Sequence, residues 1–231
     1  MLSTNTGTAE SKRKVFLVDD HPILREGFAQ LINHEPDLKV CGQAGSAGQA
    51  MRAMTALAPD LVVVDINLKG INGIELIKQI KAQHPNVQVL ALSVHDEAVY
   101  AERALRAGAK GYVMKQAPTE EVMAAIRRVA SGGRHLSQQM QDRMLEKLSG
   151  APPAKPAGHD LDSLSDRELE VFELIGVGLG TREIARRLGL SVKTVETYRA
   201  HLKEKLKVRS GVELMRLAVE TSHQAHRGPA A

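Results

Sequence analysis

The first half of the chain alternates between short apolar runs and longer segments with helical spacing. The apolar runs, rich in β-branched residues, predict buried strands centred on residues 14–19, 38–42, 60–65, 87–92 and 110–114. The segments between and after them predict helices near residues 22–33, 46–57, 73–83, 96–106 and 119–131. Because strands and helices alternate, we predict an α/β fold with a five-stranded, doubly wound parallel sheet.

The pattern changes after residue 132, which divides the chain into two domains and a connection. Residues 137–149 place apolar side chains on one side of a predicted helix, and the Pro-rich segment 151–158 predicts an extended linker. The segment 161–220 is helical throughout in its pattern. We therefore expect a disordered tail at 1–12, a sheet domain at 13–134, a linker helix and Pro-rich linker at 135–160, a smaller all-α domain of four helices at 161–222 and a tail at 223–231.

Local signals mark where the helices of the second domain begin. Ser165 and Glu168 form a capping-box sequence, and Thr181 and Ser191 are expected to cap the next two helices. Gly189 lies between these two helices and predicts a tight turn. Two short helices joined by such a turn predict a helix-turn-helix.

Composition limits the environment of the protein. Hydrophobic residues make up 43% and charged residues 25% of the chain, which is ordinary for a globular protein. Cys41 is the only cysteine, so an intrachain disulfide is excluded and a reducing compartment is favoured. No apolar stretch approaches the roughly 18 residues of a membrane span, and the polar N-terminus lacks a signal core. We expect a cytoplasmic protein that does not contact a membrane.

Charge is distributed unevenly in the second domain, although the whole chain carries a formal net charge of only +4. Residues 161–173 hold five acids and one base, whereas residues 182–216 hold ten bases and four acids. A basic block on a predicted helix-turn-helix indicates a nucleic-acid partner.

Polar side chains stand where four of the predicted strands end: Asp19, Asp20, Asp65, Ser93 and Lys115. Ligands of open parallel sheets bind beyond the carboxyl ends of the strands, so these groups should meet at one edge. The three carboxylates suit Mg²⁺, and Asp65 can act as a nucleophile towards a phosphoryl donor. Lys115 supplies positive charge for the transferring group, and Ser93 can hydrogen-bond to it.

This arrangement resembles the receiver domain of bacterial response regulators, which has a flavodoxin-like sheet, over residues 13–132. The resemblance implies that Asp20 and Asp65 bind Mg²⁺ directly and that Asp19 acts mainly through water. Asn67, two residues after Asp65, matches the position whose backbone carbonyl binds the metal. His21 follows the acid pair, and we expect it to be a first-turn helix residue, since imidazole is a poor ligand for Mg²⁺.

The same resemblance assigns the residues of a phosphorylation switch. Asp65 matches the phosphoacceptor and Ser93 the hydroxyl that moves onto the phosphoryl group. Lys115 is the residue expected to supply positive charge, and Tyr112, three residues earlier, matches the aromatic residue that rotates inward behind the hydroxyl.

Two positions depart from the receiver pattern. Lys69 stands four residues after Asp65, where receivers most often have proline, and it adds a cation to that loop. Gln116 follows Lys115, where many receivers have a cis proline, and a non-proline cis bond costs roughly 3–4 kcal/mol. The sequence leaves open how either residue affects the lifetime of the phosphoryl group.

The third helix of the second domain has two different sides. At 100° per residue, the side expected to pack inward consists of Val195, Tyr198, Leu202 and Leu206. The opposite side is small, polar and partly basic, as expected for a helix that enters a major groove. The candidate DNA contacts are Lys193, Thr194, Glu196, Thr197, Arg199, Ala200, Lys203 and Lys205.

The segments 164–171, 178–188 and 191–198 closely resemble the LuxR-type four-helix DNA-binding domain. In that family the positions matching Glu196, Thr197 and Ala200 face base edges. Glu196 is unusual in a phosphate-rich groove: it could accept from a cytosine amine or pair with Arg199 or Lys193. The sequence does not decide between these two roles.

A receiver followed by a LuxR-type domain is the layout of NarL/FixJ-type response regulators. The resemblance implies a two-component transcription factor, with a sensor histidine kinase that phosphorylates Asp65, double-stranded promoter DNA and RNA polymerase as partners. It also implies a homodimer when phosphorylated, and the predicted fourth helix, with Val212, Met215 and Val219, is the expected dimer face.

Three alternatives remain at this point. A phosphorylation-independent DNA-binding regulator with a receiver fold would share every motif. An aspartyl-phosphate phosphatase needs a second Asp where Asn67 stands, and a nucleotide-binding flavodoxin-like module needs a phosphate-binding loop where the acidic run 19–22 would repel anions. The kinase, stimulus, operator and regulated genes, activation versus repression, and whether the receiver covers the recognition helix are not readable from sequence.

Overall fold

The computed structural model describes residues 12–95, 97–148 and 161–226. The predicted disordered tail, apart from Lys12, and the predicted Pro-rich linker lie outside these residues. None of the helices within them is both long and apolar enough to cross a membrane.

A five-stranded parallel sheet forms the N-terminal domain, as predicted. Its strands are β1 (Arg13–Val18), β2 (Leu38–Ala44), β3 (Leu61–Asp65), β4 (Gln88–Ser93) and β5 (Gly111–Met114). Their spatial order is β2-β1-β3-β4-β5, and every neighbouring pair is parallel. The strand order reverses between β1 and β3, which is where ligands bind in sheets of this type.

Helices cover both faces of the sheet. They are α1 (Pro22–His34), α2 (Ala47–Leu57), α3 (Gly73–Gln83), α4 (Glu97–Ala107) and α5 (Thr119–Ala130). Side chains alternate between the faces of a strand, so Val62 belongs to the core beneath α2, α3 and α4, and Val63 to the core beneath α1 and α5. Burial on both faces explains why β3 is apolar up to its last residue, Asp65.

The second part of the chain is helical. It comprises α6 (Gln138–Leu148), a 3₁₀ turn (Leu161–Ser163), α7 (Asp166–Gly176), α8 (Thr181–Leu188), α9 (Val192–Lys205) and α10 (Gly211–His226). The last helix continues to His226, beyond the boundary predicted at residue 222.

Two of the three predicted caps are present. Ser165 and Glu168 form the reciprocal capping box of α7, and the Ser191 hydroxyl accepts from the Thr194 amide at 3.0 Å. The cap predicted at Thr181 is wrong. Thr181 is the first helical residue of α8, and Gly180 is the cap, because its carbonyl accepts the first intrahelical bond, from Ile184.

The two domains pack against each other through α7, the residues just before it and the end of α8. Arg167 donates to the carbonyls of Gly70 and Leu188, and the Gly70 amide donates to Leu188 O at 2.9 Å. On the neighbouring helix α4, Arg103 donates to Leu164 O at 2.7 Å and to Leu161 O at 2.9 Å. The buried apolar core continues from the sheet domain into α7.

Candidate functional site

The acidic residues predicted at the strand ends lie together at the switch point of the sheet. Ligand atoms of Asp19, Asp20, Asp65 and His21 all lie within 4.8 Å of one another. Asp19 ends up just beyond β1 and Asp65 at the last position of β3, and both are almost fully buried. Lys115 Nζ lies 2.7 Å from Asp19 Oδ2 and 2.8 Å from Asp65 Oδ2, so one ammonium group contacts both carboxylates.

Burial raises the pKa of Asp65, and the neighbouring Asp19 raises it further, whereas Lys115 opposes both. The net shift of the Asp65 pKa is upward. Additional positive charge would favour the anion, which is the nucleophilic form of a carboxylate. A cation bound in this pocket would therefore favour the nucleophilic, anionic form of Asp65.

The pocket fits a hard divalent cation. Its ligands are carboxylate oxygens, and the Asp20 carboxylate is almost fully buried, with a side chain 6% exposed. Asn67 lies beside Asp65, since its backbone N–H donates to Asp65 Oδ1 at 3.0 Å. His21 caps the pocket from outside: its ring is 62% exposed, and Nδ1 lies 3.1 Å from Asp20 Oδ1. It is the N-cap residue of α1, and the sequence pattern did not predict its contact with the acids.

The two switch residues are both buried. Ser93, at the end of β4, accepts a hydrogen bond from the His95 backbone N–H at 3.0 Å. Tyr112 is 1% exposed, and its hydroxyl donates to His95 O at 2.8 Å. The tyrosine ring predicted to rotate inward therefore already lies inside the protein in this conformation.

The outward side of α9 is open to solvent. Glu196, Thr197 and Ala200 are all exposed, while Val195 and Leu202 are fully buried beneath them. The receiver therefore does not cover the predicted base-reading residues in this arrangement. Glu196 makes no ion pair with any described residue, so the pairing with Lys193 or Arg199 is not seen here.

Comparisons with known proteins agree with both halves of this description. The response regulator receiver domain family matches residues 15–127, and the bacterial regulatory proteins of the luxR family match residues 162–218. The chain is 39% identical to the transcriptional regulatory protein UhpA of Escherichia coli K12 over 202 residues, which are 87% of this chain and 95% of that protein. This chain belongs to the NarL/FixJ-type two-component response regulators.

Solved structures of response regulators share its fold. A LuxR-family two-component response regulator from Aurantimonas sp. SI85-9A1 matches with a TM-score of 0.56 at 35% identity, over 60% of this chain and 99% of that one. RcsB of Salmonella enterica serovar Typhimurium, bound to promoter rprA with the phosphomimetic BeF₃⁻, matches with a TM-score of 0.60 over 90% of this chain and 98% of that one. At 24% identity, the second likeness shows the fold alone.

The two departures of this response regulator from the receiver pattern have different outcomes. Lys69 reaches the acidic pocket, where its Nζ lies 3.4 Å from Asp20 Oδ2. The peptide bond before Gln116 is trans, as are all peptide bonds in the described part of the chain. Lys69 is therefore the departure that changes the electrostatics of the pocket.

Lys205, a predicted DNA contact, also makes contacts within its own domain. Its Nζ donates to Glu168 Oε2 at 2.6 Å and to Ser163 O at 3.2 Å, while the side chain is 37% exposed. Thr194 likewise uses its hydroxyl at the cap, 2.7 Å from Ser191 Oγ. Among the candidate phosphate contacts, Lys193 is exposed at the start of α9.

His95 is the residue of the site that sequence reasoning missed. Its ring nitrogens contact Asn67 and Glu173, which are 28 residues before it and 78 residues after it. Burial lowers the pKa of His95, but its hydrogen bond to Glu173 and the charge of that residue outweigh burial, and the net shift is upward. No local pattern marks this residue, because both partners are brought to it by tertiary packing.

Proposed function

We propose that a sensor histidine kinase phosphorylates this response regulator on Asp65 and that phosphorylation strengthens its binding to promoter DNA. The observation that carries the proposal is the Lys115 ammonium group held between the buried carboxylates of Asp19 and Asp65. Such a group neutralises charge on a phosphoryl group in transfer without competing as a nucleophile.

We assign Mg²⁺ to the oxygens of Asp19, Asp20 and Asp65 and the backbone carbonyl of Asn67, where it would neutralise charge on the phosphoryl group when bound. Asp65 supplies the attacking oxygen, and the positive charge of Lys115 lies beside it. Ser93 lies at the end of the adjacent strand, since Leu92 pairs with Asp65, and its hydroxyl is the group we assign to the phosphoryl oxygen.

On the DNA side, we assign base contacts to Glu196, Thr197 and Ala200, and phosphate contacts to Lys193, Arg199 and Lys203. Exposure of the first three residues supports this assignment. We further propose a homodimer that uses α10, where Val212 is 80% and Met215 45% exposed. Paired domains would bind two half-sites one helical turn, about 10 bp, apart and act with RNA polymerase in the cytoplasm.

The test combines phosphorylation with DNA binding on the same samples. Wild-type protein is treated with acetyl phosphate and Mg²⁺, and its intact mass is measured by mass spectrometry. DNA binding is measured on duplexes selected from a random pool. We expect a gain of about 80 Da for one phosphoryl group, tighter DNA binding, and neither change in Asp65→Asn.

Two other outcomes would separate the alternatives. No mass gain with any small phosphoryl donor would contradict the assignment of Asp65. A mass gain that leaves DNA affinity unchanged would favour the phosphorylation-independent regulator over the proposed switch.

A further inference from the structure

His95 connects the phosphorylation site to the DNA-binding domain by hydrogen bonds. Its Nε2 lies 2.5 Å from Asn67 Nδ2, and its Nδ1 lies 2.9 Å from Glu173 Oε2 on α7. Asn67 in turn donates its backbone N–H to the Asp65 carboxylate. A continuous path of polar contacts therefore runs from Asp65 through Asn67 and His95 to Glu173.

The protonation of His95 is compatible with both contacts at once. A neutral imidazole with its proton on Nδ1 donates to Glu173 and accepts from the Asn67 amide. An imidazolium keeps both contacts if the Asn67 amide is turned, because Asn67 Oδ1 is buried with no hydrogen-bond partner among the described residues. The bridge is thus independent of the charge on His95.

His95 also contacts both switch residues and a second residue that touches α7. Its backbone N–H donates to Ser93 Oγ, and its carbonyl accepts from Tyr112. Its ring stacks on Tyr100, with centroids 4.4 Å apart, and the Tyr100 hydroxyl donates to Glu173 Oε2 at 2.9 Å. The imidazole therefore has a fixed orientation between the two domains.

We propose that His95 is the positioning residue through which phosphorylation of Asp65 releases the DNA-binding domain. This inference rests on the proposed function. A phosphoryl group on Asp65 places charged acceptor oxygens beside Asn67, and charge-assisted hydrogen bonds are about twice as strong as neutral ones. The Asn67 amide then turns from His95 to the phosphoryl group, and the bridge to Glu173 loses its support.

The interdomain contacts of Asp166 do not include a residue of the phosphorylation site. Asp166, also on α7, accepts from Arg103 at 3.1 Å and from Lys78 at 3.2 Å. Its partners lie on α4 and α3. Asp166 and Glu173 are thus matched carboxylates on one helix, and only Glu173 is bridged to Asn67.

The test measures the opening equilibrium of the two domains. Energy transfer is measured between dyes on cysteines introduced at the exposed positions Arg52 and Arg216 in a Cys41→Ala background. Mg²⁺ with beryllofluoride serves as the phosphoryl analogue. In the otherwise wild-type protein, the analogue should raise the opening constant by about fivefold or more, the range of coupling between distinct sites.

The variants then locate the coupling. Glu173→Ala and His95→Ala should be more open without the analogue and show no further response to it. Asp166→Ala should also be more open but keep the wild-type fold response. Glu173→Gln retains an acceptor for Nδ1–H, so it should keep most of the response, and thermal unfolding of each variant checks that it folds.

The inference is overturned if Glu173→Ala responds like the wild type, or if Asp166→Ala loses the response equally. Failure of the proposed function looks different, because Asp65 would then gain no mass from acetyl phosphate. Mass gain and tighter DNA binding without any change in energy transfer would leave the proposed function standing and overturn this inference alone.

Discussion

Lys69 is the residue that most distinguishes this acidic pocket from the receiver pattern. Its side chain is 62% exposed, and its ammonium lies 3.4 Å from Asp20 Oδ2, so it competes with a divalent cation for the same carboxylate. Exposed ion pairs are worth about 0.2–1 kcal/mol, so Lys69→Ala should tighten Mg²⁺ binding by roughly 1.4- to fivefold. Calorimetric titration with Mg²⁺ measures this change. Lys39→Ala, an exposed lysine on β2, is the control, and an equal effect there would assign the change to net charge.

Lys193 and Lys205 should separate two roles that look alike in the sequence. Lys193→Ala is expected to weaken binding to all duplexes and to reduce the slope of log K against log salt by about one. Lys205→Ala should leave that slope unchanged and cost about 1–3 kcal/mol of stability, since it leaves the buried Glu168 carboxylate without its ammonium partner. Salt titrations and chemical unfolding test the pair. Equal slopes for both variants would contradict the assignment.

At the scale of elements, the capping box explains where α7 begins and how the stability of this helix depends on pH. Burial would raise the pKa of Glu168, but hydrogen bonds from Lys205 and Ser165 lower it below its usual value. The stability from this carboxylate is therefore fully present above its ordinary pKa and is lost as pH falls through the lowered pKa.

This sign gives a prediction for the DNA-binding domain. Its unfolding temperature should fall between about pH 5 and pH 3, and Glu168→Gln should flatten that dependence while lowering stability at neutral pH. Thermal unfolding followed by circular dichroism measures both. Glu196→Gln, on the exposed side of α9, is the control and should retain the wild-type pH dependence.

For the whole molecule, the docking of α7 on the receiver leaves the recognition helix exposed. The proposed release of the domain would then serve its placement on DNA as a pair, since its base contacts are already exposed. Arg103 holds this docking through two carbonyls and Asp166. Hydrogen bonds from charged groups contribute about 1.5–3 kcal/mol each in favourable settings.

Arg103→Ala should therefore raise the DNA affinity of the unphosphorylated protein, by roughly tenfold if about 1.4 kcal/mol of docking is lost. Mobility shifts on a selected duplex, with and without acetyl phosphate, measure this. Arg106→Ala, an exposed arginine on the same helix that pairs with Glu102, is the matched control. Unchanged basal affinity in Arg103→Ala would show that docking does not restrain DNA binding.

The periodicity of apolar residues predicted most of the fold, and the polar residues at the strand ends predicted the acidic pocket. All ten elements of the receiver begin and end within two residues of prediction, because apolar alternation is a local property. The meeting of Asp19, Asp65 and Lys115 followed from the rule that parallel strands end at one edge. The cap at Gly180 was missed because Thr181, a good capping residue, is displaced by one position into the helix.

Contacts between distant segments were decided by tertiary packing alone. His95 contacts Glu173, and Lys205 pairs with Glu168, only because α7 packs against both the receiver and α9. No spacing along the chain encodes these pairs, since their partners are separated by 78 and 37 residues. The chemistry of each site could therefore be predicted from the types of its residues. The connection between the two sites could not, because it exists only in the folded arrangement of the two domains.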